Sequence, residues 1–315
     1  MIKIYINYKF TDEPWGGANN FIKNLVSFFK EDSEIEIINN IEKKFDIIFL
    51  NQLSEGPLNG SKDSSLRKLK NQKKSGKKII LRAINLKLHS YNHNIYHAYL
   101  DFRLINFMNN YVDFVIFQSE YQRNFFLGAG FRNINNTVIH NGTNPNIFKF
   151  ISRKQITGKV KLISSAASSR ESKNLKLLAD ISKIKSIEIY HVGAWDKSLD
   201  SNNIILLGTK THSEMNELFS KMDGFIHLAY RDPCPNSIFE AISAGLPVIY
   251  YPNQTSSSEI VGLNGIPLNL NNYEETFDTF KNNYKELCDN LIKTRSYYSI
   301  NRAANDYKKV FELLR

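Results

Sequence analysis

The stretch Arg231-Asp-Pro-Cys-Pro-Asn-Ser-Ile-Phe-Glu-Ala-Ile-Ser-Ala-Gly-Leu-Pro-Val-Ile-Tyr250 carries two acids, Asp232 and Glu240, eight residues apart around the expected start of a helix. A strand over Asp223 to Leu228 is expected to end just ahead of it, and a loop with two prolines follows. A helix then begins near Asn236 or Ser237, Gly245 closes it, and Pro247 leads into the next strand. Free backbone N–H groups of Asn236, Ser237 and Ile238 at such a helix start would favour a phosphate, because the dipole and the unpaired donors point the same way. Glu240, one turn inside, could accept hydrogen bonds from a ribose diol, and Asp232 on the preceding loop could face the same cleft. Ser237-x-x-Glu240 also satisfies the capping-box pattern, in which Glu240 only reaches back to a backbone N–H. The residues alone leave both readings open.

A second group follows the strand expected at Val160 to Ser164. In Ala166-Ala-Ser-Ser-Arg-Glu-Ser-Lys-Asn-Leu175, Arg170 and Lys173 come after a strand end and before a helix. Cations fixed there would stabilise negative charge developing on a phosphate leaving group more than they stabilise the ground state. As mere surface cations they would face the positive end of the helix dipole, which disfavours them. The third group is Pro14-Trp-Gly-Gly-Ala-Asn-Asn-Phe21, where Gly16 and Gly17 would permit close backbone approach to a ligand at a helix start, or simply form a turn. Glu259, in Ser256-Ser-Ser-Glu-Ile-Val-Gly262, fits a helix-cap role. His89, His93 and His97 recur every four residues and would line one partly exposed helix face; no third ligand type accompanies them, so no metal site is expected. His227 and Cys234 lie near the site without a partner that would mark a base or a nucleophile.

The elements that must position these residues follow from hydrophobic patterning. Short β-rich runs are expected at Lys3 to Asn7, Ile35 to Asn39, Asp46 to Leu50, Lys78 to Arg82, Asp113 to Gln118 and Thr137 to His140, with helices such as Asn20 to Lys30 and Tyr99 to Asn110 between them. A second series comprises Val160 to Ser164, Ile187 to Val192, Asn203 to Leu207, Asp223 to Leu228 and Val248 to Tyr251. Several are continuous Ile/Val/Leu/Phe runs, as expected of strands covered by helices on both faces. The pattern predicts α/β architecture with two Rossmann-like, doubly wound parallel sheets. The turn-rich His140 to Pro145 is the expected break, which gives domains over 1–145 and 146–295, with a C-terminal helix over 296–315. Ligands are expected in the interdomain cleft at the carboxyl ends of the strands. No G-x-G-x-x-G follows the first strand, which argues against a dehydrogenase-type nucleotide site.

At 315 residues and 42% hydrophobic, the chain can bury a large core. No segment approaches the roughly 18 to 20 uncharged apolar residues of a membrane span. The chain opens directly on a strand-like run and holds only Cys234 and Cys288, so a cytoplasmic protein is expected, with no disulfide framework. The net charge of +10, from 41 Lys+Arg against 31 Asp+Glu, suits phosphorylated partners or an anionic surface. The densest run, Lys62 to Lys78, reads as the solvated face of a helix; if it docks, an anionic membrane at the inner face suits it better than nucleic acid.

The Asp232 to Glu240 stretch resembles the E-x7-E signature of retaining glycosyltransferases of family 4, with Asp in the first acid position. The following Ala-x-x-Ala-Gly-Leu-Pro-Val matches that family's continuation. The resemblance implies a GT-B fold and transfer of a sugar, without metal or cofactor, from a nucleoside diphosphate sugar to a glycan, lipid-linked or other hydroxyl acceptor in cell-surface glycan assembly. It assigns the donor sugar to Asp232, the ribose to Glu240 and the diphosphate to the amides between them. Arg170 and Lys173 resemble the family's cation pair on that diphosphate, and Gly17 its N-terminal glycine loop. Phe117 to Phe125 and Val138 to Phe148 resemble the family in layout, and the last helix would by analogy return to the first domain. Ile80-Leu-Arg-Ala83 stands where many relatives carry a His, so Arg82 or His89 is a candidate for the acceptor side. Glu259 stands where relatives often carry a Glu before an apolar pair, which makes it a further candidate site acid. Two other readings remain: a catalytically inactive GT-B partner subunit, and a GT-B sugar-nucleotide epimerase.

Overall fold

The structure is a computed structural model that describes residues 1–8, 10, 17–40, 42–51, 66–90 and 94–315. The chain divides into two compact units, Met1–Glu13 with Ala18–His140 and Ala303–Arg315, and Pro14–Gly17 with Asn141–Arg302.

In the first unit the chain runs β1 (Ile2–Asn7), α1 (Gly17–Lys30), β2 (Ile35–Ile38), β3 (Ile47–Leu50), α2 (Leu66–Lys74), β4 (Lys78–Arg82), α3 (Lys87–Ser90), α4 (Ile95–Tyr111), β5 (Phe114–Phe117), α5 (Glu120–Gly128) and β6 (Asn136–Val138). Its sheet has the order β2-β1-β3-β4-β5-β6 and every pairing is parallel, with Ile4 opposite Ile47 and Ile80 opposite Phe114. All four residues of β3 and of β5 are buried, because helices cover both sheet faces.

The second unit runs β7 (Val160–Ala166), a 3₁₀ turn (Glu171–Lys173), α6 (Leu175–Ile181), β8 (Ile187–Gly193), β9 (Ile204–Leu206), α7 (His212–Ser220), β10 (Gly224–His227), α8 (Asn236–Ser243), β11 (Val248–Tyr250), α9 (Ser257–Val261), β12 (Gly265–Pro267), α10 (Tyr273–Asn282) and α11 (Tyr284–Thr294). The last helix, α12 (Ile300–Leu313), groups with the first unit from Ala303 onward, where Tyr307 packs on Phe21 and Phe49. The second sheet is again wholly parallel, in the order β12-β11-β10-β7-β8-β9. Neighbouring residues along its strands go to opposite cores. Ile163, Phe225 and Val248 join one hydrophobic cluster, whereas Leu162, Ile226 and Ile249 join the other.

This order fixes where a ligand can be bound. The chain winds outward from β7 through β8 to β9, then returns to place β10 on the other side of β7. The loops after β7 and β10 therefore diverge at a topological switch point, the place where doubly wound sheets open a crevice.

One device holds both α7 and α8 from behind. Arg153 Nη1 donates to the carbonyls of Phe219, Ser220 and Met222 at 2.8, 3.2 and 3.1 Å, at the end of α7. Its Nε and Nη2 donate to Gly245 O at 3.0 Å and Ala244 O at 2.7 Å, at the end of α8. A single guanidinium thus satisfies the last carbonyls of two helices and opposes the negative pole of both. Gly245 follows α8 at φ 84°, and a Cβ there would meet Ile151 O at 2.5 Å, so the turn out of α8 requires glycine.

The structure also departs from the sequence patterning. The second sheet has a sixth strand, β12, that patterning alone did not suggest, because Gly265-Ile-Pro267 reads as a turn. Its strand character comes from pairing with β11, and a Cβ on Gly265 would lie 1.9 Å from Val248 O, so the close approach demands glycine.

Candidate functional site

The turn after β7 carries the first cation. Lys173 N donates to Arg170 O at 2.8 Å to form the 3₁₀ turn, and Asn174 adopts the left-handed conformation (φ 56°) that redirects the chain into α6. Tyr230 N donates to Ser172 O at 3.0 Å and Asn174 Nδ2 to Leu228 O at 3.3 Å, so the turn is fastened to the loop leaving β10. That fastening brings Lys173 Nζ to 3.3 Å from Asp232 Oδ2.

The loop after β10 is held equally firmly. Arg231 N donates to Gln254 O at 2.6 Å, and both residues lie in left-handed backbone, at φ 55° and 52°. The carbonyl of Asp232 accepts from Ser256 N, Ser256 Oγ and Thr255 Oγ1 at 3.2, 3.1 and 3.4 Å. Two non-glycine residues in a costly conformation, opposite one another, are the kind of strain that persists where the surroundings over-determine it. The hydroxyls of Thr255 and Ser256 form a clamp that sequence reasoning missed. The run Thr255-Ser-Ser-Ser258 after a strand end was its only visible sign.

Helix α8 begins at Asn236, with Pro235 as its N-cap and no side-chain capping bond. Ser237 is therefore the second helical residue and Glu240 the fifth, so the capping box that Ser237-x-x-Glu240 suggests does not form. The contrast with α7 is direct, since Thr211 and Glu214 there make both bonds of a genuine box. Ile238 N already donates to Pro235 O at 3.1 Å, which corrects its expected place among the free amides. The amides of Asn236 and Ser237 have no acceptor among the described residues, and no acid lies in the first turn. A bare positive helix end results.

The side chain of Asn236 is committed elsewhere. Its Nδ2 donates to the carbonyl of Gly17, which groups with the second unit, at 2.7 Å, and its Oδ1 accepts from Asn141 Nδ2 at 2.7 Å. A Cβ on Gly17 would stand 2.5 Å from Asn236 Nδ2, so glycine is needed for that contact. Gly16 lies outside the described residues.

Electrostatics divide the two acids. Burial pushes the Asp232 carboxyl up, but the Lys173 ammonium, His227 and the hydrogen bonds from Lys173 and the Cys234 amide together hold it below its ordinary value. Asp232 is thus a stable carboxylate. The carboxyl of Glu240 makes no hydrogen bond or ion pair with another described residue, and burial pushes it up to about 7. Behind the pair, burial pushes His227 down to about 4, against the opposing influence of Asp232 and with a further push from Lys173. His227 is neutral near pH 7, and its buried Nε2 has no hydrogen-bond partner among the described residues.

Other candidates fall outside this cluster. Arg170 is exposed and its Nε donates to Ser168 Oγ at 3.2 Å, apart from the Lys173–Asp232 pair. Glu259 sits in the first turn of α9, where Ser256 provides no side-chain cap. Arg82, at the end of β4 in the first unit, is buried; its Nη1 donates to Asn51 Oδ1 at 2.7 Å, its Nη2 donates to Gln118 Oε1, and Phe21 lies against its face. The shared helix face expected of the histidines does not exist. His89 is in α3, bonded to the Tyr121 hydroxyl at 3.0 Å, and His97 is in α4, while His93 lies outside the described residues.

Against known proteins, residues 160–285 match the family model described as glycosyl transferases group 1, a span that contains Arg170, Lys173, Asp232, Glu240 and Glu259. Among solved structures, the chain is similar to Anabaena HepE in complex with UDP and glucose, at 13% identity and TM-score 0.71, covering 99% of this chain and 100% of that one. Sucrose-phosphate synthase from Thermosynechococcus elongatus aligns at 12% identity and TM-score 0.72, over 100% of this chain and 99% of the other. A glycosyltransferase from Rickettsia africae aligns at 15% identity and TM-score 0.67, over 99% and 98%. The search of curated proteins gave no match. The two parallel six-stranded sheets are the architecture of GT-B glycosyltransferase structures, and together with the family match over the second unit they support a glycosyltransferase.

Proposed function

We propose that this chain transfers a sugar from a nucleoside diphosphate sugar to an acceptor hydroxyl with retained anomeric configuration, as enzymes of family 4 do. The observation that carries the reading is the uncapped amide end of α8 beside the Lys173–Asp232 pair, with the unpartnered carboxyl of Glu240 one turn farther in. The amides of Asn236 and Ser237 and the Lys173 ammonium would take the diphosphate, Glu240 the ribose diol, and Asp232 the hydroxyls of the donor sugar. Arg170, exposed beside the same turn, would close on the diphosphate from outside.

In the reaction the bond from the anomeric carbon to the diphosphate oxygen breaks with its electron pair on the diphosphate. The acceptor oxygen bonds to the same face as its proton passes to the departing phosphate. Lys173 and the α8 amides stabilise the charge that develops there, so the site's own positive groups supply what a metal would otherwise supply. This supports a metal-independent enzyme without cofactor. An acceptor on a glycan or lipid-linked carrier, a cytoplasmic location with peripheral contact at an anionic membrane, and a part in cell-surface glycan assembly complete the proposal.

The test is thermal melting with UDP-, GDP- and ADP-sugars, since a bound donor raises the melting temperature by mass action. Hydrolysis of the same donors, with and without a chelator, is measured alongside. A shift and chelator-resistant hydrolysis with one donor class, both lost in Lys173→Ala, are expected. Silence with every donor would leave a catalytically inactive GT-B subunit, and release of a free epimerised sugar would replace transfer with epimerisation.

A further inference from the structure

Helix α4 of the first unit is apolar on more than the face it buries. Ile105, Phe107 and Met108 enter the core, yet Ile95, Tyr96, Tyr99 and Phe102 are 90, 63, 52 and 68% exposed along the first two turns. These positions, at i, i+1, i+4 and i+7, share one side of the helix. The only acid of α4, Asp101, is buried and accepts from the amides of Lys87 and Leu88 at 2.7 and 2.9 Å, so no negative charge interrupts the exposed side.

A basic groove adjoins it. Arg67, Lys70 and Lys74 of α2 and Arg103 and Tyr111 of α4 line an open groove of about 700 Å³. Helix α2 contains no acid at all. Lys73, also on α2, is tied to Asp113 and does not line the groove. Arg103 joins the two features, because it lines the groove and lies 5.5 Å from the Tyr99 ring. Lys70 stands 4.6 Å from the Tyr111 ring.

We propose that this face of the first unit docks on an anionic phospholipid bilayer, with the α4 side chains entering the headgroup region and the groove cations on the lipid phosphates. A row of aliphatic and aromatic side chains edged by Lys and Arg is the composition of an interfacial helix. Tyrosine rings favour the depth where headgroups meet acyl chains, and cations near an anionic leaflet each strengthen binding by roughly fivefold. A nucleic acid would use the cations and leave Ile95 and Phe102 in water. The docking surface deepens the peripheral membrane contact of the proposed function, and it stands on these residues alone, independently of the donor site.

The test is co-sedimentation of the full chain with vesicles of phosphatidylcholine and of phosphatidylcholine mixed equally with phosphatidylglycerol, at low and high salt. Binding to the mixed vesicles only, weakened by salt, is expected. Lys70→Ala with Lys74→Ala should lower it by about 25-fold, and Tyr99→Ser with Phe102→Ser by about tenfold or more. Unchanged melting temperatures would show that these exposed changes leave the fold intact. Absence of vesicle binding, equal binding to neutral vesicles, or variants that bind like the parent would each overturn the assignment. So would tighter binding to duplex DNA than to the mixed vesicles, abolished by the lysine pair and untouched by the aromatic pair.

Discussion

Replacing Glu240 with glutamine separates the acid's cost to the fold from its use. The carboxyl rests at about 7 against an ordinary 4.5 because burial penalises its charged form. The difference, 7 minus 4.5, is about 2.5 pH units, worth roughly 3 kcal/mol at about 1.36 kcal/mol per unit. Partial exposure makes that an upper bound. With a raised folded value, the favourable state is fully present below about 4.5 and is lost as pH climbs through 7. Glu240→Gln keeps the shape and removes the charge. The variant should therefore melt with the parent near pH 4.5 and above it at pH 8, by up to roughly 10 °C. Donor affinity should move the other way, falling by about 10- to 100-fold, because a carboxylate accepts from a diol more strongly than an amide does. Melting curves at the two pH values, each with and without a donor sugar nucleotide, read both effects. An equal difference in melting temperature at pH 4.5 and pH 8 would refute the reasoning, and so would a glutamine variant that binds donor as tightly as the parent.

Lys173→Ala should slow donor turnover by about 10²- to 10³-fold in a hydrolysis or transfer assay. Adding Asp232→Ala should cost less than the product of the two single effects, since the residues are paired at 3.3 Å. Gly245→Ala forces a side chain into φ 84° with its Cβ 2.5 Å from Ile151 O, and calorimetry should show a loss of at least about 2 kcal/mol. Arg153→Met removes the hydrogen bonds to five carbonyls at the ends of α7 and α8, of which Phe219 O and Ala244 O keep a backbone donor, and should cost about 3 kcal/mol or more, read as a lowered melting temperature.

Much of this fold is legible in the sequence because its strands are buried on both sides. Runs such as Ile47-Ile-Phe-Leu50 and Phe114-Val-Ile-Phe117 announce themselves without any alternation to decode. Gly265-Ile-Pro267 does not, since its only strand-like property is its neighbour β11, and pairing across 17 positions leaves no local trace. The site shows the same division. Residue types and spacing pointed to the start of α8, yet the choice between a capping box and a free amide end turned on two residues of register. Pro235 decided it by starting the helix early enough to carry Glu240 past the reach of its own terminus. The meeting of Lys173 with Asp232 depends on β7 and β10 being neighbours, a fact of strand order that no spacing within either segment contains. The histidine spacing misled for the converse reason, because a helix break separates His89 from His97.

Arg153 gives α8 a lopsided character. Its guanidinium quiets the far pole of the helix, where Ala244 and Gly245 end it, and none of the described residues quiets the near pole at Asn236 and Ser237. A short helix with both poles dressed is electrically almost mute; with one dressed it acts as a small directed source of positive potential. Eight residues then suffice to attract an anion, and the lever that sets the strength of that attraction lies at the opposite end from where the anion would arrive.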